Sequence, residues 1–298
     1  MEMHQLRYVV AVARAGNFSR AAEQCHVSQP SLSQQIQKLE SELGEQLFER
    51  TRREIRTTPH GERFLRRALR ILEEVDAVQR EAKDAKELLS GSVTLGILPT
   101  IAPYLLPKVI ALFMKKFPGV EIIVQEESTA RLLKLARGYE IDFAIISQPL
   151  SPEQGEHFEV QSLLTEELFL ALPEGHPLLQ KKTLTPIDLT RERLIVMREG
   201  HCLGDQVLNF CSRRDLQPSI SFRSAQLETI QSLVSAGMGL SLIPAMACNS
   251  EKKTSPIYRS LAPNKPEREI ISLWPKQRPP TRAAAEFLKI LHSCLTKS

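Results

Sequence analysis

From residue 62 to residue 90 the chain contains neither glycine nor proline, while Phe64, Ala68, Ile71, Val75, Val78, Ala82, Ala85 and Leu89 recur at spacings of four and three. No other stretch restricts the fold so tightly. That register fits a continuous helix, roughly 40 Å long at about 1.5 Å per residue. Its narrow apolar stripe is the a/d seam of a coiled coil. The simplest partner for such a seam is a second copy of the chain, the alternative being a helix that lies on its own domain. The helix also splits the 298 residues into a short segment before it and a long one after it.

In the short segment, residues 4–15 place Leu6, Val9, Val10 and Ala13 on one helical face, and Gly16-Asn17 marks a turn. A short helix over 19–25 follows. Then comes "HVSQPSLSQQIQKLESELG", with Ser28 as the N-cap, Pro30 in the first turn and Gly44 as the stop. Two short helices joined by a tight turn form a helix-turn-helix. The second opens with Gln29, Ser31, Ser33, Gln34 and Gln35, side chains able to read base edges in a major groove, with Lys38 one turn beyond. The run "ERTRREIRTTPHG" reads as a two-stranded wing. Between positions 50 and 70, eight arginines, Arg50 and Arg53 among them, stand against two glutamates. An excess of that kind suits a polyanion better than a solvated helix face. Double-stranded DNA is the expected partner.

After the helix, "SGS" marks a linker, and "VTLGIL", "VEIIVQ" and "DFAII" read as buried strands separated by helical patterns over 103–117 and 129–137. Strand and helix in alternation predict an α/β fold with a mainly parallel sheet. "LFLALP" opens a second such set, which includes "LETIQSLVSAGMGLSLIP". "EIISLW" then returns the chain to the first sheet, and "TRAAAEFLKILHSCL" closes with an amphipathic helix. Two α/β lobes with crossovers leave a cleft between them.

The remaining composition excludes several classes. No run approaches the eighteen or more apolar residues of a membrane span. The N-terminus has only a short apolar patch between Arg7 and Arg14, so no secretory leader is expected and the cytoplasm is the expected compartment. The five cysteines, Cys25, Cys202, Cys211, Cys248 and Cys294, are odd in number and scattered, unlike a disulfide framework. No C-x-x-C or H-E-x-x-H occurs, so neither a metal nor another cofactor is expected.

Taken together, "FSRAAEQCHVSQPSLSQQIQKLESELGEQLFERT", the paired linker helix and "VSAGMGLSLIP" resemble the LysR-type transcriptional regulators over essentially the whole chain. "GHCLGDQ" with "FC" following, and "ILPTIAPYLLP" earlier, are similar to the OxyR-like peroxide sensors within that family. The resemblance implies a winged helix-turn-helix DNA-binding domain over 1–61 and a linker and dimerisation helix over 62–90. It implies an effector domain over 91–298 made of two Rossmann-like lobes of the periplasmic-binding-protein kind, lobe I over 91–162 and 268–298 and lobe II over 163–267. It further implies a regulator, not an enzyme, that binds promoter or operator DNA as a dimer or a tetramer of two dimers, with RNA polymerase as a further partner and hydrogen peroxide as effector. Carried over residue by residue, Cys202 is the thiol that peroxide attacks and Cys211 the one that resolves it into a disulfide. Thr100, Thr129, His201 and Asp205 match the polar groups of the peroxide pocket, and Arg268 matches the arginine that favours the thiolate. Pro30, with the glutamines and serines named above, belongs to the DNA-reading helix. Arg213 and Arg214 have no counterpart in that scheme.

Leu203, Val207 and Phe210 recur at helical spacing, which puts Cys202 at a helix N-terminus, where backbone N–H groups favour a thiolate and a depressed pKa. Nine positions along one helix advance about 13.5 Å and turn about 900°, leaving the two cysteines on opposite faces. A disulfide needs Cα atoms roughly 4.4–6.8 Å apart. Closing it must therefore unwind the segment, with Gly200 and Gly204 as the expected sources of backbone freedom. Cys25 reads as a core residue, and Cys248 and Cys294 as structural. The competing reading is a LysR-type regulator of a small metabolite held in the cleft by Thr100, Thr129 and Gln226, with the cysteines incidental. A thiol peroxidase would leave the helix-turn-helix without purpose, and a solute-binding protein would need a secretory leader.

Overall fold

Asn17 caps the second helix: its side-chain oxygen accepts from the Ser19 and Arg20 N–H groups and so launches a helix straight after a turn. In the computed structural model, which describes residues 1–50, 55–84, 91–198, 200–248 and 255–296, the chain divides into two units, Met1–Leu88 and Leu89–Ser298. In the first, α1 (Met3–Ala15) ends at Gly16, α2 (Phe18–Gln24) follows, and α3 (Gln29–Leu43) begins on the Ser28 cap with Pro30 in its first turn and stops at Gly44. Both glycines have left-handed φ, +62° and +69°, where a side chain would be strained. The three helices bury Val9, Val12, Ala21, Leu32, Ile36 and Leu39 with Phe18 and Phe48. β1 (Phe48–Arg50) and β2 (Ile55–Thr57) pair antiparallel as the wing. The Glu40 carboxylate accepts from the Leu47 and Phe48 N–H groups and fastens the wing to α3. The wing tip, with Arg52 and Arg53, lies outside the described residues.

α4 (Pro59–Asp84) is the long helix. The seam does not behave as one surface. Phe64 and Ala68 pack against Leu6 and Val10 of α1, whereas Ile71 is 39% exposed. The first turns of the stripe are thus taken up by the same unit, because α1 presents its own apolar face there. Ala85 and Leu89 lie outside the described residues, as do the side chains of Val78 and Ala82.

The second unit contains β3 (Gly91–Ile97), α5 (Ala102–Lys116), β4 (Val120–Glu126), α6 (Thr129–Arg137), β5 (Phe143–Ser147), the short α7 (Pro152–Gly155), β6 (Phe158–Leu172), β7 (Arg193–Met197), α8 (Cys202–Ser212), β8 (Ser219–Ser224), α9 (Leu227–Ser235), β9 (Ser241–Pro244), β10 (Ile257–Arg259), β11 (Glu267–Pro275) and α10 (Arg282–Leu295). The main sheet runs β10-β6-β11-β5-β3-β4, with β9 also on β6. It is mixed, which corrects the mainly parallel expectation. β3 is parallel to β4 and β5, but β11 is antiparallel to both β5 and β6. The cause is β6, one strand of 15 residues that runs from the first lobe into the second, with β11 returning beside it. Each lobe keeps its own core. Val93, Leu95, Phe113, Phe143 and Phe287 fill the first, and Leu170, Leu194, Val196, Leu203, Val207 and Ile230 the second. Among the described residues no helix is long and apolar enough to cross a membrane.

Candidate functional site

On α3, Gln29, Pro30, Ser31, Gln34 and Lys38 are exposed and Ser33 is half-buried. Gln35 departs from the expectation. Its side-chain oxygen stands 3.3 Å from the His4 ring and accepts from the Gln5 amide at 3.2 Å, so it ties α3 to α1 instead of facing outward. Gln35 lies on the flank of α3 that α1 covers, and that decides its role. Arg50 is on β1, and Arg53 lies outside the described residues.

The second group of residues gathers where α8 meets both lobes. Gly200, at φ +87°, turns the chain so that His201 becomes the N-cap and Cys202 the first residue of the helix. Cys202 is half-buried and packs against the first lobe's core. Cys211, nine positions on, is 2% exposed inside the second lobe's core. The helix is intact between them. Each thiol therefore belongs to a different core, on opposite faces of one element.

Arg268, at the start of β11, is fully buried. Its Nε donates to a Glu166 carboxylate oxygen at 2.7 Å, Nη1 to the Thr100 hydroxyl at 3.1 Å and Nη2 to the Thr100 carbonyl at 3.2 Å. Each of the three nitrogens thus makes one hydrogen bond to Glu166 or Thr100, and the positive charge acts on Cys202 through space. Burial pushes the Cys202 thiol above its ordinary range. The Arg268 charge, the Thr129 hydroxyl and the Leu203 N–H oppose that rise, and Asp205 adds to it. The expected depressed pKa is thus corrected: desolvation outweighs the helix N-terminus and the arginine, whose charge Glu166 partly offsets. Thr129, the first residue of α6, is half-buried with its hydroxyl oxygen buried and in no well-formed hydrogen bond, although it stands close enough to the thiol to favour the thiolate. Burial and Arg198 push the His201 imidazole down, with Asp205 opposing, so the ring is neutral near pH 7. Asp205 is exposed in the first turn.

Gly204 also differs from its expected role. Its φ is not left-handed, but a Cβ there would stand 2.6 Å from the Met197 carbonyl oxygen. The glycine lets α8 approach β7, and only Gly200 supplies unusual backbone. The Arg214 guanidinium lies 4.0 Å from the Phe210 ring centre and donates to the Phe210 carbonyl, so one of the two unplaced arginines secures the end of α8. Gln226 is exposed at the N-cap of α9. Cys25 and Cys248 are half-buried and Cys294 is buried.

Two residues escaped sequence reasoning. Gln206 donates from its amide to the Ser147 hydroxyl at 2.7 Å and to the Gln148 carbonyl, pinning α8 to the first lobe. Its position one turn after Cys202, on the same face, was the available signal. Glu166 had none, since it sits in an ordinary strand pattern.

Residues 86–295 match the LysR substrate binding domain, and residues 3–62 match the bacterial regulatory helix-turn-helix protein of the lysR family. The chain is 37% identical to the DNA-binding transcriptional dual regulator OxyR of Escherichia coli K12, over 97% of this chain and 93% of that one. Full-length OxyR from Pseudomonas aeruginosa, solved with a cysteine-to-aspartate substitution, superposes with a TM-score of 0.76 at 30% identity, covering 99% of this chain and 94% of that one. Full-length CbnR in complex with its target DNA superposes with a TM-score of 0.66 at 25% identity, covering 98% and 99%. The chain belongs to the LysR family of DNA-binding transcription regulators and, within it, to the OxyR group.

Proposed function

We propose that this regulator senses hydrogen peroxide in the cytoplasm through Cys202 and Cys211 and passes the signal to its DNA-binding heads. The observation that carries the proposal is the division of the two thiols between the two cores on one helix, with Arg268 and Thr129 on the Cys202 side. The Cys202 thiolate attacks one peroxide oxygen. The O–O bond breaks, and the other oxygen leaves as hydroxide and is protonated to water. Thr129 and His201 supply hydrogen bonds to the peroxide oxygens and Asp205 orients the rim, while Arg268, held by Thr100, stabilises the thiolate. The Cys211 thiolate then attacks the sulfenic sulfur, hydroxide leaves and is protonated, and the S–S bond carries the two-electron oxidation. Because α8 holds the thiols apart, that second step requires the helix to unwind.

On the DNA side, Gln29, Pro30, Ser31, Ser33, Gln34 and Lys38 read or approach the major groove, and Arg50 and Arg53 hold the phosphates. Two copies pair through α4, two such pairs bind an extended operator, and RNA polymerase is the downstream partner. One experiment tests the central claim. Free thiols are counted before and after one equivalent of peroxide, and the oxidised peptide is identified by mass spectrometry. Loss of two thiols with a 202–211 crosslink is the expected result. No crosslink would move the proposal to a regulator that answers a small metabolite in the cleft.

A further inference from the structure

An open groove of about 380 Å³ lies between α8 and the start of β11. Its α8 wall carries Gln206, Asn209 and Arg213, which recur at spacings of three and four and so share one helical face. Glu267 and Glu269, two apart on β11, share one face of that strand and line the groove too. Phe210, Leu168 and Pro266 are buried and add apolar surface to it. Several polar groups of the lining are already engaged. Lys265, whose charge also reaches Glu267, is fastened to Glu167 at 2.8 Å, and Arg214 lies on the Phe210 ring. Gln206 is held by Ser147 and Gln148, and one Glu269 oxygen accepts from the Ser162 hydroxyl at 2.7 Å. Arg213 is different. The sensing scheme leaves it without a role, it is exposed, and its guanidinium has no partner among the described residues. The exposed Glu267 carboxylate makes no hydrogen bond or ion pair among those residues either. Opposite charges thus line one groove without closing into an ion pair.

We propose that this groove binds a small zwitterion, an α-amino acid with an apolar side chain, its carboxylate on Arg213 and Asn209 and its ammonium on Glu267 and Glu269. A carboxylate suits the guanidinium fork, and the Asn209 amide adds a donor one turn away on the same face. The two β11 carboxylates repel a plain anion and accept an ammonium. The apolar side chain lies against Phe210, Leu168 and Pro266. The volume falls at the lower end of the about 300–1,000 Å³ typical of small-molecule sites, which favours an amino acid over a larger metabolite. A solvated cation at the end of a helix accounts for Arg213 alone, but not for an unpaired carboxylate at Glu267 in the same groove. The site is separate from the cleft of Thr100, Thr129 and Gln226, none of which lines it. A consequence for the switch rests on the Cys202–Cys211 reading above. Asn209 sits inside the segment that must unwind, so closing the disulfide dismantles the α8 wall, and an occupant holds the reduced helix in place.

The test is isothermal titration of the reduced full-length protein with three probes of one shape: L-leucine, isocaproate, which lacks the ammonium, and isoamylamine, which lacks the carboxylate. Leucine should bind with a dissociation constant of about 0.1–1 mM, and each half-molecule at least about fivefold more weakly. Arg213→Gln should weaken leucine about fivefold and leave isoamylamine as it was. Glu267→Gln should weaken leucine to a similar degree without weakening isocaproate. Both side chains are exposed, so both variants should fold. No saturable heat for leucine up to about 10 mM overturns the proposal. Isocaproate binding as tightly as leucine overturns it as well, because Arg213 would then hold plain anions. So does leucine binding that Gln226→Ala abolishes and Arg213→Gln spares, which would place the ligand in the metabolite cleft. For the link to the switch, peroxide-treated wild type carrying the 202–211 crosslink should bind leucine at least about tenfold more weakly, and undiminished binding there overturns the link. Should no crosslink form, the sensing function fails while the titrations of the reduced protein still decide the site.

Discussion

Replacing Gly204 with alanine should make the Cys202–Cys211 pair easier to oxidise. Gly204 is buried and helical, and an added Cβ would stand 2.6 Å from the Met197 carbonyl oxygen and 3.2 Å from its carbon. Both are main-chain atoms of β7 and cannot rotate away, so α8 has to move off the strand in the reduced protein. Overpacking of this kind costs about 1–3 kcal/mol, and a backbone neighbour puts the clash in the upper half of that range. Alanine favours a helix over glycine by about 1 kcal/mol, which leaves a net destabilisation of the reduced form of about 1–2 kcal/mol. Once α8 has unwound to close the disulfide the clash is gone, and the oxidised form is spared. At about 30 mV per 1.4 kcal/mol, the midpoint potential should become more negative by roughly 20–45 mV. Equilibration in dithiothreitol redox buffers, followed by thiol trapping and gel shift, measures it. An unchanged midpoint would refute the reasoning, as would one raised by the ~20 mV that helix propensity alone would produce, because α8 would then keep its place on β7 in both forms.

Because burial holds the Cys202 thiol above its ordinary range, the thiolate is the minor form near neutrality. The stopped-flow rate constant with peroxide should therefore climb from pH 6 to pH 9, approaching tenfold per unit, and a flat profile would mean the thiolate is already formed. Hydrogen exchange of α8 amides should be slow in the reduced protein and fast after peroxide, yet stay slow in peroxide-treated Cys202→Ser; a disulfide formed without loss of protection would exclude refolding. In binding titrations across salt, Gln34→Ala should change sequence preference while Arg53→Ala weakens all sequences alike and flattens the salt slope. Equal, sequence-blind losses would contradict the assignment of α3. Ile71, 39% exposed on the lone chain, should bury itself between two copies of α4, so Ile71→Lys should give monomers in sedimentation, and an intact dimer would place the seam elsewhere.

The parts of the fold that were legible in sequence are those fixed by local chemistry. Ser28, Pro30 and the glycines at 16 and 44 set the helix ends, and those ends lie where capping rules put them. The strands β3, β4 and β5 announced themselves as apolar runs for the same reason. What stayed hidden depends on partners distant in the chain. Nothing local distinguishes Gln35, which turns to α1, from Gln34, which does not. Glu166 and Arg268 are 102 positions apart, and the antiparallel passage of β11 beside β6 is what brings them together. The upward push on the Cys202 thiol is hidden on similar grounds. A helix N-terminus is visible in sequence, while the burial that outweighs it is a property of the assembled lobes.

The placement of α8 also constrains how a disulfide could move the lobes. Both cysteines lie on one helix, so no rigid motion of one lobe against the other changes their separation; the helix itself has to yield first. Leu203, Val207, Phe210 and Cys211 are buried in the second lobe, while Cys202 packs on the first and Gln206 donates to Ser147 and Gln148 there. Unwinding between 202 and 211 would strain both sets of contacts at once. The side nearer the start of the helix has the weaker hold: one half-buried thiol and one amide, whose carbonyl oxygen is buried without a partner. A helix held unequally by two cores should let go on the first-lobe side before the second. That order makes Gln206 the contact whose release precedes any change between the lobes.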